Sequence, residues 1–199
     1  MRKRIEKMQG AELETLSRKA VEILLRPGAV LLLPTETVYG LVCRASDEAA
    51  CRKLFELKQR PASKVIGWFV SGREMLEKYG VILDARCRKL LERYTPGALT
   101  VIAPTASGLT QGFRIPDHPL LEKILELLGE PLAQTSANAS GNPDAANCAE
   151  ALAQLNGNVD FYVDGGAVPD ECCASTVVDA SGVELKILRQ GSVFIDNNL

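Results

Sequence analysis

The stretch AVLLLPTETVYGL at residues 29–41 joins an apolar segment to a polar turn, and the rest of the chain is organised around it. Residues 29–33 are all apolar and end at Pro34, which predicts a buried strand, because proline has no N–H for the sheet ladder and its ring restricts the residue before it. The hydroxyl-rich turn that follows closes at Gly40 and leaves polar groups at the end of a strand, where open α/β sheets commonly bind ligands. Taken alone, the stretch is also typical of an ordinary strand exit with a polar turn.

Apolar segments with helical and strand spacing alternate along the chain, which predicts an α/β fold. Leucines and alanines three or four residues apart predict an amphipathic helix over residues 11–25. The other predicted elements are helices over 46–58, 73–79, 84–94, 117–128 and 145–155, strands over 65–70, 99–103, 111–115, 132–133 and 159–163, and a terminal hairpin over 175–188. Ser46, Asp84 and Asp117 are the predicted N-caps of three of these helices. No repeat or linker interrupts the pattern, so we expect one domain spanning residues 1–199.

Composition and charge exclude several functional classes. The 199 residues carry a net charge of -2, with 46% hydrophobic and 24% charged residues, which argues against a protein that coats nucleic acid with its whole surface. The six cysteines show no spacing suited to zinc, and the single histidine, His118, is expected to be structural beside a helix cap, at the surface or locally bonded. Since no apolar run could span a bilayer and no signal peptide is recognisable, we expect a cytoplasmic location and thiols that stay reduced.

Two further polar segments follow predicted secondary-structure elements. KQRP at 58–61 projects two cations, Lys58 and Arg60, from a helix that Pro61 terminates, although basic residues that complement the negative end of a helix explain this pattern as well. QTSANASG at 134–141 follows a short strand and offers hydroxyl and amide groups, as an ordinary capping loop also would. Neither segment identifies a site by itself.

Taken together, these segments resemble the YrdC/TsaC family of threonylcarbamoyl-AMP synthases over nearly the whole chain. The order and spacing of the segments, and especially the combination of a KxR pair with an SxN pair, carry the resemblance. The matching pieces are LPTETVYGL at 33–41, KQRP at 58–61, PGALT at 96–100, RIPDHP at 114–119, TSANASG at 135–141, STVVD at 175–179 and LRQG at 188–191.

The resemblance implies a fold and a reaction. The expected fold is a twisted open mixed sheet flanked by helices, with a large concave cavity. The implied activity joins L-threonine, bicarbonate and ATP into threonylcarbamoyl-AMP and releases pyrophosphate, and the product supplies the threonylcarbamoyladenosine modification of tRNA. Separate transferase proteins would receive the adenylate; weak tRNA binding is also implied, and no membrane is expected as a partner.

The resemblance also assigns roles to residues. Lys58 and Arg60 would act as catalytic cations that neutralise charge on the phosphates of ATP, the substrate. The nucleotide-binding set would be Lys58, Arg60, Thr110, Ser136, Asn138 and Arg189. The L-threonine-binding set would be Thr35, Arg114 and Ser175, in which the arginine can bind a carboxylate bidentately. No metal site on the protein is implied, and Mg²⁺ would be bound mainly through the phosphates.

The sequence departs from the family pattern at three places and leaves two other functions open. Residues 62–66 replace a common proline-leucine pair, Thr95 stands where tryptophan is common, and Gln134 stands where a small residue is usual. The loop after Pro61 is a hypothetical lid, because a labile carbamate needs protection from water. The alternatives are an RNA-binding module, which few aromatic residues (5%) disfavour, and a paralogue that handles another carbamoyl adenylate, such as a hydrogenase-maturation domain or the YciO branch.

Overall fold

The computed structural model describes residues 10–59, 66–169 and 172–196. Within them, helices and strands alternate, as the apolar spacing predicts. The helices are α1 (Ala11–Leu24), α2 (Glu48–Leu57), α3 (Arg73–Lys78), α4 (Ala85–Tyr94), α5 (Pro119–Leu128) and α6 (Cys148–Gln154). The strands are β1 (Leu31–Leu33), β2 (Gly40–Arg44), β3 (Gly67–Phe69), β4 (Leu99–Pro104), β5 (Thr110–Arg114), β6 (Leu132–Ser136), β7 (Phe161–Tyr162), β8 (Thr176–Asp179) and β9 (Lys186–Arg189).

The strands form one mixed sheet in the order β7-β1-β2-β6-β3-β5-β4-β8-β9. The pairs β1–β7, β3–β5 and β4–β8 are parallel, and the other neighbouring pairs are antiparallel. Strands distant in sequence therefore lie side by side at the centre of the sheet. The expected mixed sheet flanked by helices is confirmed.

Helices cover the two faces of this sheet unequally. One face is packed by α2 and α6 over its β1–β2–β6 side and by α3 and α4 over its β4–β5–β8 side. On the opposite face, α1 and α5 bury apolar side chains of β1, β2, β6 and the end of β3. That second core includes no residue of β4, β5, β8 or β9, so the remaining part of this face is left concave.

Three local predictions are corrected. The N-cap of α2 is Asp47 rather than Ser46, because its carboxylate accepts from the backbone N–H of Ala50 and, on its other oxygen, from that of Gly28. The N-cap of α5 is His118 rather than Asp117, and His118 is only 3% exposed instead of lying at the surface. The predicted cap Asp84 is confirmed, since it accepts from the N–H of Cys87.

Candidate active site

A cavity of about 350 Å³ opens on the concave face of the sheet. Its floor contains three strand glycines, Gly40, Gly67 and Gly112, which lie on β2, β3 and β5. Glycine inside a strand leaves no side chain above the backbone and commonly marks a place where a ligand approaches closely. The floor is therefore recessed, and the functional groups lie around it.

The residues that the resemblance assigns to a site converge on this cavity from distant parts of the chain. Six of them line it: Thr35, Thr110, Arg114, Ser136, Ser175 and Arg189. Two more, Lys58 and Asn138, contact Ser136 directly. Arg60 and the hypothetical lid after Pro61 lie outside the described residues.

Lys58 is the centre of a buried polar network at one end of the cavity. Its Nζ lies 2.5 Å from the carbonyl oxygen of Ser136, 3.2 Å from the Ser136 Oγ and 2.9 Å from Oδ1 of Asn138. The Ser136 hydroxyl in turn donates to the same Asn138 oxygen over 2.7 Å. An ammonium donates in several directions, so these contacts to uncharged oxygens hold its positive charge in a fixed place.

Backbone contacts explain why this lysine meets these residues. Lys58 is the C-cap of α2, and its carbonyl accepts from the N–H of Ser140 in the loop after β6. The carbonyl of Leu57 accepts from Asn156, so the loop partners satisfy carbonyls that an isolated helix end would leave unpaired. The side-chain amide of Asn138 also donates to the carbonyl of Asn142 across the same loop. Lys58 and the SxN segment are thus one structural unit.

A chain of hydroxyl groups lies beside Arg114 in the cavity. Arg114 donates from Nη1 to Thr37 Oγ1 over 2.9 Å, and the hydroxyls of Thr35 and Thr37 lie 2.9 Å apart. Because the Thr35 hydroxyl donates its one hydrogen to the carbonyl of Val38, the Thr37 hydroxyl must donate to Thr35. The guanidinium also lies 4.7 Å from the centroid of the Phe69 ring, which is a favourable cation–π geometry.

Arg114 also lies beside a buried carboxylate. Its Nε lies 3.5 Å from Oε1 of Glu36, and the two side chains are only 5% and 14% exposed. Four buried side-chain atoms lack a hydrogen-bond partner within the described parts of the chain: both Glu36 carboxylate oxygens, Arg114 Nε and His118 Nδ1. Glu36 and His118 also line a smaller chamber of about 30 Å³. Buried polar atoms without partners are uncommon in folded proteins, so this cluster marks a site rather than inert packing.

Burial shifts the titration of two of these groups. It lowers the pKa of the Arg114 guanidinium; the Glu36 charge opposes that shift and the Arg189 charge adds to it. It also lowers the pKa of His118 to about 4, with a smaller contribution from Arg114. His118 is therefore neutral at physiological pH, because a charged imidazole next to a buried guanidinium is unfavourable.

Arg189 and Ser175 close the cavity at the β8–β9 side. Arg189 donates from Nε to the Ser175 carbonyl over 2.9 Å and from Nη2 to its hydroxyl over 3.1 Å, and that hydroxyl lies 2.8 Å from Thr100 Oγ1. A Cβ at Gly191 would lie 2.3 Å from the carbonyl oxygen of Ala174. Only glycine permits this approach, which explains the glycine of the LRQG segment and keeps Arg189 against Ser175.

The sequence did not reveal several residues of this site. Thr37, Glu36 and Thr100 were not assigned roles, although residues 35 and 37 alternate along an extended segment and could have been expected on one side of it. Tyr39 fixes the neighbouring loop: its hydroxyl donates to the carbonyl of Gly166 and accepts from the N–H of Gly165. Burial raises the pKa of this tyrosine to about 12, so it stays a neutral hydrogen-bonding group.

Neither a metal-binding cluster nor a membrane-spanning helix is found in the described parts of the chain. Across residues 10–59, 66–169 and 172–196, no three histidine, cysteine, aspartate or glutamate side chains come together in a way that could hold a metal ion. No helix in the same parts of the chain has the length and apolar character needed to cross a membrane.

Known proteins with similar sequences include the threonylcarbamoyl-AMP synthases of Pyrococcus abyssi and Mus musculus. The first is 33% identical over 178 residues, which cover 85% of this chain and 52% of that protein. The second is 34% identical over 181 residues, which cover 84% of this chain and 64% of that protein. The chain thus spans about half the length of the first of these relatives and less than two thirds of the second.

Solved structures with the same fold include P. abyssi Sua5 complexed with L-threonine, with a TM-score of 0.81 and 32% identity over 89% of this chain and 54% of that one. E. coli YciO matches with a TM-score of 0.80 and 26% identity over 90% of both chains. Full-length HypF, at 20% identity and a TM-score of 0.72, shares the fold alone.

The family match covers most of the chain. Residues 23–191 match the family that is described as "Telomere recombination" and groups Sua5, YciO and YrdC proteins. The matched residues include every strand of the sheet and every residue placed around the cavity above. The chain therefore belongs to the Sua5/YciO/YrdC family.

Proposed function

We propose that this chain is an L-threonylcarbamoyladenylate synthase, a nucleotidyltransferase that forms threonylcarbamoyl-AMP and pyrophosphate from L-threonine, bicarbonate and ATP. The observation that carries the proposal is the convergence of cationic and hydroxyl groups from six separate chain segments on one glycine-floored cavity. The P. abyssi and mouse relatives that bear the synthase name, and the P. abyssi structure with L-threonine, support it.

The end of the cavity around Lys58 suits the triphosphate. In the proposed reaction a carbamate oxygen attacks the α-phosphorus of ATP, so two anions must approach each other, and fixed cations reduce that repulsion and stabilise the transition-state charge. Lys58 would exchange its longest contact, the one to the Ser136 hydroxyl, for a phosphate oxygen. Ser136, Asn138 and Thr110 would donate uncharged hydrogen bonds, and Arg60 and Arg189 would add further positive charge.

The end of the cavity around Arg114 suits L-threonine. Thr35, Arg114 and Ser175 would bind its carboxylate and side-chain hydroxyl, because a guanidinium recognises a carboxylate through two parallel hydrogen bonds. A site built to bond a hydroxyl discriminates strongly against analogues that lack it, because its own polar groups are then left unpaired. Serine retains the hydroxyl and loses one methyl group, so it would be the strongest competitor.

The wider context of the reaction follows from the same proposal. ATP would enter with Mg²⁺ held mainly through the phosphate oxygens, the hard ligands that this ion prefers. The adenylate would pass to tRNA threonylcarbamoyl transferase proteins in the cytoplasm, with weak tRNA binding by this chain. The segment after Pro61 would close over the carbamate as a lid.

The test is an assay with each amino acid in turn. Purified protein is incubated with Mg-ATP, bicarbonate and one amino acid, and pyrophosphate is measured alongside mass spectrometry of the nucleotide product. We expect pyrophosphate and threonylcarbamoyl-AMP with L-threonine, much less product with serine, and none without bicarbonate. Lys89→Ala, a change on the exposed side of α4, is the matched control for Lys58→Ala. Absence of product from the folded protein would overturn the proposal.

A second candidate is a role like that of YciO, which is favoured by the match over 90% of both chains. The same assay distinguishes the two. Pyrophosphate release that does not depend on L-threonine would favour a paralogue that handles another carbamoyl adenylate. Tight, strongly salt-dependent tRNA binding without nucleotide turnover would instead favour an RNA-binding module.

A further inference from the structure

Gln134 lies on the floor of the main cavity, at a point where neither proposed substrate set includes a residue. It belongs to β6 and precedes Ser136 by two residues, so both side chains project from the same face of the sheet, about 7 Å apart. Across the sheet it pairs with Gly67 of β3. Gln134 is thus part of the floor itself rather than of the rim.

Gln134 and Gly67 belong to one row of paired residues across the sheet. The position of this row along the strands decides which ligand atoms it faces. The register that pairs Trp68 with Phe113 sets Gly67 beside Gly112, which lies on β5 midway between Thr110 and Arg114. Thr110 belongs to the proposed nucleotide end and Arg114 to the proposed amino-acid end. The row that contains Gln134 therefore lies between the two ends.

The side chain of Gln134 extends along the floor towards this midpoint. Its Nε2 lies 2.9 Å from the position that a Cβ on Gly67 would occupy, so the amide passes over the bare backbone of that glycine. Its carboxamide makes no hydrogen bond to any other described residue. The neighbouring glutamine, Gln111, differs in this respect, since its amide donates to the carbonyls of Ile66 and Gly112.

We propose that Gln134 is a further catalytic residue of this site, which donates an amide hydrogen bond to an oxygen of the linkage that joins the carbamate to the α-phosphate. This inference rests on the proposed function and adds a residue to it. Of the described cations, Lys58 lies beside Ser136 on one side of this row, and Arg114 and Arg189 lie on the other side. An uncharged donor at the midpoint stabilises the charge that develops on the bridging and non-bridging oxygens during the transfer.

The chemistry explains why a glutamine suits this position. Its amide offers two N–H donors and one acceptor without adding charge. It therefore does not draw the anionic groups of either substrate away from the cations. Its contribution grows as charge concentrates at the reacting atoms, because an aimed donor stabilises the transition state more than the separate substrates. Removing it should therefore lower kcat more than it raises either KM.

The experiment compares four proteins in the pyrophosphate assay, with ATP and L-threonine varied in turn: the wild type, Gln134→Ala, Gln134→Glu and the matched control Gln111→Ala. We expect Gln134→Ala to lower kcat by about 10- to 100-fold, at or below the low end of the range for a lost oxyanion donor, with each KM within about threefold. Gln134→Glu should be slower still, because a carboxylate of the same size faces the reacting anions. Gln111→Ala should retain the wild-type kcat.

Three outcomes would overturn the inference while leaving the proposed function intact: an unchanged kcat in Gln134→Ala, equal rates in Gln134→Ala and Gln134→Glu, or an effect confined to the KM of one substrate. A wild type without threonine-dependent product would overturn both. Thermal unfolding of every variant accompanies the kinetics. Gln134 lines an open cavity, so we expect the unfolding midpoints of its variants to match that of the wild type. Gln134→Asn is a second variant, which keeps the amide but shortens its reach. We expect its kcat to lie above that of Gln134→Ala.

Discussion

The two ends of the cavity each contain a buried cation, but they hold it differently. Lys58 is 4% exposed, and its ammonium contacts three uncharged oxygens of Ser136 and Asn138. Arg114 is 5% exposed and donates to one hydroxyl, while its Nε faces the Glu36 carboxylate at 3.5 Å. Similar burial therefore coexists with contacts to the oxygens of Ser136 and Asn138 at Lys58 and with a buried carboxylate beside Arg114.

The different surroundings of Lys58 and Arg114 predict different contributions of the two cations to folding. Removing Lys58 deprives the hydroxyl, amide and carbonyl oxygens of Ser136 and Asn138 of a donor, and water entering the cavity can replace it. Removing Arg114 leaves a buried carboxylate without its counter-charge, which is strongly destabilising in proteins. Lys58 should therefore matter mainly for chemistry, whereas Arg114 should matter for chemistry and for stability.

The largest expected effect is that of Lys58→Ala on turnover. We expect kcat/KM to fall by about 10²- to 10³-fold, since a charge aimed at the phosphates is lost. The urea midpoint should change less than in an Arg114 variant, because the Ser136 and Asn138 oxygens that lose their donor are uncharged. Steady-state kinetics and urea unfolding on the same preparation test both statements, with Lys89→Ala as control. A Lys58 variant with normal turnover, or one that unfolds as readily as an Arg114 variant, would contradict this contrast between the two cations.

The next effect is that of Arg114→Met on stability. We expect the free energy of unfolding to fall by about 3 kcal/mol, because Glu36 stays buried without its partner. The double variant Arg114→Met/Glu36→Gln should recover part of this loss, since the carboxylate charge is then gone as well. Denaturant unfolding of the two single variants and the double variant gives the coupling energy. Additive effects would show that the pair is not coupled.

A third effect concerns His118, which lies behind Arg114. Its pKa is about 4 in the folded protein and about 6.5 in a free chain, so between these values the unfolded state binds more protons. Its contribution to stability is complete above pH 6.5 and is lost as the pH falls towards 4. We expect the free energy of unfolding to fall by about 2–3 kcal/mol less between pH 7 and pH 4.5 in His118→Gln than in the wild type. Urea unfolding of both proteins at pH 7 and pH 4.5 tests this; an identical pH dependence would contradict it.

The smallest expected effect is that of Arg189→Ala. This side chain belongs to β9, whose four residues are all exposed, so its charge is better screened by water than that of Lys58. We expect kcat/KM to fall by roughly 10-fold, with Arg189→Lys recovering part of the loss. A loss as large as that of Lys58→Ala would show that exposure does not separate the two cations.

Local patterns in the sequence predicted much of the fold. Apolar spacing predicted α1 within one residue of its observed end, and Asp84 was recognised as a cap. The caps of α2 and α5 were predicted one residue too early. At α2 the error arises from a contact that is remote in the chain, because Asp47 also bonds Gly28. At α5 the extended residue directly before Pro119 is His118.

The site was predicted less completely than the fold. Motif pieces identified Lys58, Ser136 and Asn138 before their contacts were known, but nothing local shows that residues 78 and 80 positions apart share a network. Glu36 was overlooked because a carboxylate in a polar turn is unremarkable until Arg114 is placed beside it. Gln134 was noticed as a departure from the family pattern, but only the hydrogen-bond register of the sheet places it on the cavity floor.

The sequence by itself determined the alternation of helices and strands, the family resemblance and the types of side chain available for chemistry, because these depend on neighbours along the chain. Tertiary structure alone decided which groups share the cavity, which cation meets a carboxylate, and that a single glutamine lies between the two ends. The physical reason is that hydrogen-bond register across the sheet brings together residues far apart in sequence, and a change of one residue in that register would turn the same side chains to the opposite face.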